Sequence, residues 1–167
     1  MTTIPSRQHP VNASDASDGR RTPAGDAFSG LVARVFRLNG LLAAAGDALS
    51  RPSGQTSARW QVLAMLENGP ATVAETARVL GLARQSVQRV ADLLEADSLI
   101  QFVDNPRHRR ARLAELTGEG RTVLAAIQAA QRPWANRVGG AVGERELRGA
   151  TQTLERLIDA LEQPPGR

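Results

Sequence analysis

Arginine, glutamine and serine side chains cluster in the middle of the chain, within the stretch LARQSVQRVADLL. Arg and Gln side chains can make paired hydrogen bonds to the edge of a base, Arg with guanine and Gln with adenine. Further along, the segment NPRHRR holds three arginines and no acid. A basic segment of this kind suits contact with phosphate or with the minor groove. The candidate DNA-binding residues are Arg84, Gln85, Ser86, Gln88, Arg89, Arg107, Arg109 and Arg110.

Two short helices are expected to position the first of these groups. Thr72 and Glu75 have the spacing of a capping box, in which the side chain of each residue bonds the backbone N–H of the other, so a helix should begin there. Gly81 follows its last apolar residue, where a left-handed backbone ends a helix. A second helix is predicted from about Ala83 to Ala96.

The second helix has an apolar face and an exposed polar face. The apolar residues recur at i, i+3, i+4 and i+7, which places them on one side of a helix; they are Val87, Val90, Ala91 and Leu94. At about 100° per residue, Gln85 and Arg89 lie on the opposite side, with Ser86 and Gln88 beside them. No acid precedes Asp92 in this helix, so its first two turns should present donors outward.

A β-hairpin is predicted to follow and to carry the basic segment at its tip. Leu99–Val103 and Ala111–Leu116 are the two candidate strands, and the turn formers Asp104–Pro106 lie between them. Thr117 should then cap another helix. Two helices followed by a basic hairpin are the arrangement of a winged helix-turn-helix, which puts one helix in the major groove and the hairpin beside it.

Long helices at both ends bracket this unit. The first, about Asp26 to Leu49, carries a 3-4-3-4 stripe that includes Leu38 and Leu42, and the last, about Glu144 to Leu161, carries a similar stripe that includes Leu154. Such stripes favour packing against other long helices, and we expect a dimer. Between them, Pro133 should kink or end a helix that starts near Gly118. We expect a loop at the glycines that follow, Gly139, Gly140 and Gly143.

The predicted fold is mainly α with a small β-hairpin, in which a winged helix-turn-helix lobe joins a helical dimerisation region. The predicted divisions are a disordered tail (1–25), a first dimerisation helix with its linker (26–54), the DNA-binding lobe (55–117), C-terminal dimerisation helices (118–162) and a short tail (163–167).

From about Asp26 to Glu162, the chain resembles the MarR family of bacterial transcription regulators. The resemblance rests on TSARWQVLAML, LGLARQSVQRVADLLEADSLI and the ending RRARLAELT-x-x-G. Three positions depart from the usual pattern: Ala83 replaces a Ser or Thr, Ser98 replaces a Gly, and His108 replaces an acid before Arg109. The resemblance implies a two-fold dimer, a repressor more often than an activator, and a pocket for small aromatic or anionic molecules.

That implied pocket would lie near Trp60, with Phe36 and Arg59. The alternative for Trp60 is a place in the hydrophobic core, which is the commoner role of a single tryptophan at helical spacing. No sequence feature names the molecule that such a pocket would take.

Composition narrows the remaining function classes. The chain of 167 residues has no cysteine, which excludes disulfides and thiolate metal sites, and its two histidines are not accompanied by clustered acids. It carries neither a motif typical of an active site nor an uninterrupted apolar run of membrane-spanning length. No enzyme activity, no cofactor, no metal, no membrane and a cytoplasmic location are therefore expected.

The sequence predicts a homodimer that regulates transcription by binding double-stranded DNA at a pseudo-palindromic operator, with half-sites about 34 Å apart. A small molecule would release it by favouring another spacing of the two recognition helices. Two alternatives stay open. One is an architectural protein that binds DNA with little regard to sequence, and the other is a helical interaction protein without DNA binding.

Overall fold

The computed structural model describes residues 21–106 and 110–163. Arg107, His108 and Arg109 lie outside the described residues, as do most of the two predicted tails. The elements are α1 (Pro23–Ser50), a 3-10 helix (Arg51–Ser53), α2 (Ser57–Leu66), α3 (Val73–Leu80), α4 (Arg84–Ala96), β1 (Ile100–Val103), β2 (Leu113–Leu116), α5 (Gly118–Val142) and α6 (Glu144–Glu162). A mainly helical chain with one small hairpin confirms the predicted fold class.

The chain divides into two compact units, residues 1–39 and residues 40–167, and the division falls inside α1. The helix begins at Pro23, three residues before its predicted start. By length and composition alone, the span Pro23–Ser53 could cross a membrane. Arg34 and Arg37 lie near its middle, where each would cost about 2.5–3.5 kcal/mol at the centre of a bilayer. A long helix that packs against protein passes the same test, so this span argues only weakly for a membrane.

In the second unit, the end of α1 holds the start of α2. Asp47 Oδ1 accepts a hydrogen bond from the Ser57 backbone N at 2.7 Å, and Thr56 caps the helix by accepting from Arg59 N at 3.3 Å. Such caps satisfy N–H groups that have no partner inside the helix. α2 then buries its apolar side chains in the core of the lobe.

The predicted helix-turn-helix is confirmed in detail. Thr72 and Glu75 form both bonds of a capping box at the start of α3. Gly81 ends α3 with a φ of +64°, a left-handed conformation that glycine adopts without a Cβ penalty. Of the four side chains that the period of α4 predicted to face inward, Val87, Ala91 and Leu94 are buried, and Val90 is partly buried against the core.

The core of the lobe lies between α2, α3, α4, the hairpin and the start of α5. Its largest fully buried side chains include Leu63, Leu66, Leu94 and Ile100. Burying an aliphatic side chain of this size stabilises the fold by about 1.5–3 kcal/mol. These residues therefore set where the polar face of α4 points.

The hairpin pairs β1 with β2 in antiparallel register, from Ile100 opposite Leu116 to Val103 opposite Leu113. An isolated bridge between Ala71 and Ala114 ties it to the segment before α3. These links place the base of the wing beside the helix-turn-helix.

The loop predicted at Gly139 and Gly140 was wrong, and one of the two outcomes predicted for Pro133 is excluded. α5 runs to Val142 with Pro133 inside it, so the proline does not end the helix. Gly139 and Gly140 are helical, and only Gly143, with a φ of +101°, separates α5 from α6. A proline removes one N–H donor, and a helical glycine costs about 0.5–1 kcal/mol relative to Ala. The hydrogen bonds of the neighbouring turns in this 25-residue helix outweigh both costs.

Candidate DNA-binding surface

The first turns of α4 present a polar and basic surface to solvent. Arg84, Gln85, Ser86 and Arg89 are exposed, and Gln88 is half-buried beside them. Ala83 occupies the N-cap position, and its methyl group cannot cap the helix. The unpaired N–H groups of this first turn stay available to an anion such as a DNA phosphate.

The side chains on this surface differ in how they are held. Among the described residues, no side-chain hydrogen bond or ion pair holds Arg84, Gln85 or Arg89, so their donors are available. Gln88 is restrained, because its Nε2 donates to Asp92 Oδ1 at 2.7 Å. Free guanidinium and amide groups on a projecting helix are suited to base edges and phosphates.

A groove of about 280 Å³ separates α4 from the wing, and three arginines line it, Arg84, Arg110 and Arg112. Arg110 was predicted to be in the DNA-binding surface, and the fold brings it to the same groove as Arg84. Arg112 was not among the predicted site residues. Its guanidinium lies over the Phe102 ring at 5.3 Å from the centroid and donates to the Phe102 carbonyl oxygen.

Cross-strand contacts explain why Arg112 was missed. It lies in the basic run that the sequence shows, but only the strand register places it beside Phe102 and against the groove. Arg107 and Arg109 lie outside the described residues, so their part in DNA contact stays a prediction.

Two of the three residues predicted for a small-molecule pocket take part in other contacts. Arg59 forms an ion pair with Asp97, which follows α4, and its buried Nε has no hydrogen-bond partner. Trp60 is half-buried and packs against the hydrophobic core, the alternative that the sequence left open. Phe36 lies in the unit of residues 1–39 and is 73% exposed. The pocket itself stays a prediction.

Little in the described part of the chain points to catalysis or metal binding. Residues 21–106 and 110–163 contain no group of three or more His, Asp or Glu side chains that could hold a metal ion. The Arg145 guanidinium lowers the pKa of the Glu146 carboxyl, but this exposed pair lies on α6, away from the surface of α4.

Comparison with known proteins agrees with this geometry. A MarR family model matches residues 53–111, the stretch that holds α2, α3, α4 and the first strand of the wing. An uncharacterised protein of Mycobacterium tuberculosis, Rv2011c, is 41% identical over 136 residues, covering 81% of this chain and 95% of the relative. The chain belongs to the MarR family. The activatory protein BadR of Rhodopseudomonas palustris is 28% identical over 137 residues, covering 79% of this chain and 77% of BadR.

Solved structures of the MarR family share the fold. The M. tuberculosis regulator MosR, solved in complex with DNA, matches with a TM-score of 0.66 and 25% identity, over 79% of this chain and 98% of MosR. The family and fold of this MarR protein are therefore those of transcription regulators rather than enzymes.

Proposed function

We propose that this MarR protein is a homodimeric, sequence-specific transcription regulator, acting as a repressor on a pseudo-palindromic operator in the cytoplasm. The observation that carries the proposal is the free polar face of α4, where the donors of Arg84, Gln85 and Arg89 have no partner among the described residues. The groove beside it adds Arg110 and Arg112 from the wing. MosR, whose structure holds DNA, supports this docking by similarity.

The proposed dimer is supported by an apolar stripe on α6 that the single chain leaves exposed. No residue of this described helix is buried, and Leu154 and Leu161 are 41% and 71% exposed. Leu147 and Ile158 extend the stripe and are exposed as well. Contiguous apolar surface of this kind marks an interaction site, and two-fold symmetry is the commonest way to cover it.

The dimer is tested by placing a charge in the stripe. Leu154→Asp should give monomer or aggregate, because association would bury an unpaired carboxylate. Gln152→Asp is the matched control, since Gln152 is exposed and lies roughly 160° around the helix from Leu154. Sedimentation at micromolar concentration measures both. A stable dimer of Leu154→Asp, or a folded wild-type monomer, would contradict the proposal.

DNA binding is tested by separating base reading from phosphate contact. Arg89→Ala should weaken the free energy of operator binding by about 1–3 kcal/mol and relax the base preference at one base pair per half-site. Arg109→Ala should weaken binding to cognate and scrambled DNA by a similar factor. It should also reduce the slope of log affinity against log salt concentration by about one per subunit. If Arg109 enters a narrow minor groove instead, its replacement should weaken binding more when A-tracts flank the operator.

The same measurements judge the two alternatives. An architectural protein would bind cognate and random duplexes with a ratio near one and a steep dependence on salt. A helical interaction protein would bind neither, and changes to Arg89 and Arg109 would have no effect. If Arg89→Ala keeps the base preference while Arg109→Ala changes neither affinity nor slope, the proposed docking is wrong.

A small-molecule effector and the sign of regulation complete the proposal. Repression follows the commoner behaviour of the family, whereas the name of BadR is that of an activator. A reporter gene under an operator that the protein binds decides the sign of regulation, because a repressor lowers expression and its deletion raises it. An aromatic or anionic effector should release the operator, and it must bind one spacing of the recognition helices more tightly than the other.

A further inference from the structure

Gln88 and Asp92 form a hydrogen-bonded pair one turn apart on α4, which the proposed docking does not by itself require. Gln88 Nε2 donates to Asp92 Oδ1 at 2.7 Å. Both residues line the groove toward the wing and also the depression on the other side of α4, beside Gln85 and Arg89. The pair therefore stands on the ridge of the helix that would enter the major groove.

The contact determines which way the Gln88 amide points. A carboxylate can only accept hydrogen bonds, so only the NH2 end of the amide can face Asp92. The carbonyl oxygen Oε1 must then point away from Asp92, and one N–H of Nε2 remains unused. An unrestrained glutamine would rotate freely and could present either end to a base.

We propose that Asp92 is a positioning residue for base recognition, and that through it Gln88 selects adenine in the major groove. The inference rests on the proposed DNA-binding function. Adenine presents the N6 amino donor beside the N7 acceptor, so it can donate to Oε1 and accept from the remaining N–H. Both hydrogen bonds form without breaking the contact to Asp92.

The other three bases match this amide less well. Guanine presents two acceptors, O6 and N7, so its O6 would face the Gln88 carbonyl oxygen. Thymine presents the acceptor O4 and a methyl group. Cytosine offers the N4 donor without an adjacent acceptor, which allows one hydrogen bond rather than two.

The negative charge of Asp92 makes it possible to distinguish an effect on base discrimination from an effect on overall affinity for DNA. A carboxylate beside the phosphate backbone repels DNA, so its removal should strengthen binding to any duplex. Asp92→Ala should therefore bind DNA more tightly but discriminate less at the base pair that Gln88 faces. A residue that served only helix stability would not change discrimination at one base pair.

The experiment compares the wild type with Gln88→Ala, Asp92→Ala and Glu95→Ala. Glu95 is an exposed acid on the same helix that lines the groove toward the wing, and no described hydrogen bond joins it to Gln88. Its replacement removes the same charge without releasing the amide. Alanine favours helix, and circular dichroism checks that each variant is folded.

Each base pair of the half-site that the wild-type protein prefers is replaced in turn by the other three base pairs, and the affinities are measured at fixed salt. The position that loses its preference in Gln88→Ala should be A·T in the wild type, favoured over G·C by about 5- to 150-fold, the range of a paired contact. In Asp92→Ala that ratio should fall by about threefold or more, because the freed amide can also donate to guanine. In Glu95→Ala it should stay unchanged.

Several results would overturn the inference. It fails if the position that depends on Gln88 prefers G·C, if Gln88→Ala alters no position, or if Asp92→Ala discriminates as the wild type does. Those failures leave the proposed function standing, provided that the wild type selects a sequence. If the wild type selects none, the proposed function fails, and the inference fails with it.

Discussion

Gly120 lies where α5 leaves the base of the wing, and the structure has no room there for a side chain. A Cβ on Gly120 would lie 1.9 Å from the carbonyl oxygen of Leu99. That oxygen is held in place, because it accepts hydrogen bonds from Thr117 N at 3.1 Å and from Thr117 Oγ1 at 3.1 Å. Thr117 Oγ1 in turn accepts from Gly120 N at 3.0 Å, which begins α5.

The size of the effect of Gly120→Ala follows from these distances. A carbon and an oxygen in ordinary contact lie about 3.3 Å apart, so the 1.9 Å approach requires a separation of roughly 1.4 Å more. Overpacking costs about 1–3 kcal/mol, and each hydrogen bond of Thr117 that is lost adds about 1 kcal/mol. We expect the free energy of unfolding to fall by about 3 kcal/mol, a large part of the 5–15 kcal/mol that is typical of a domain.

Urea unfolding at a fixed protein concentration measures this loss, since the stability of the proposed dimer would depend on concentration. Gly118→Ala is the control, because a Cβ at Gly118, in the same first turn of α5, meets nothing within 4 Å. The control should match the wild type or gain up to about 1 kcal/mol. If Gly120→Ala and Gly118→Ala unfold at the same urea concentration, the close packing of α5 on Leu99 is wrong.

Three further changes test local backbone features, each by its effect on the thermal unfolding midpoint. Ala83→Ser should stabilise by about 1 kcal/mol, because Ala83 is an extended N-cap without a side-chain acceptor; an unchanged midpoint would contradict it. Ser98→Gly should stabilise by about 1 kcal/mol, since Ser98 has a φ of +59°, whereas Ser98→Ala should give no such gain. Asp47→Ala should destabilise by about 1.5–3 kcal/mol through loss of the bond from Ser57 N, and a variant as stable as the wild type would refute that role.

Local signals explain why the helix-turn-helix could be predicted from the sequence. The capping box of Thr72 and Glu75 joins residues three apart, and the left-handed turn at Gly81 depends on one residue's missing Cβ. The buried face of α4 follows from the period of the helix alone. Such features need no knowledge of what packs against them, which is why α3, the turn and α4 agree with the prediction to within about a residue.

The same local reasoning failed in α5. Pro133 and the pair Gly139–Gly140 are helix breakers by propensity, yet the helix passes through all three. Propensity is a weak preference of at most a few kcal/mol, and the cooperative bonding of adjacent turns overrides it. The departure of Ser98 from the family pattern, by contrast, has a clear structural consequence, because the serine takes the left-handed conformation that a glycine would adopt without strain.

The sequence by itself determined the helix-turn-helix and the polar face of α4, since each depends on residues within a few positions of one another. Only the tertiary structure decided that Arg59 pairs with Asp97, that Arg112 covers Phe102, and that Arg84 and Arg110 share one groove. Those partners are far apart in the chain, and packing of the core brings them together. A pattern of residue types carries periodicity, whereas a contact across elements depends on how the buried faces fit.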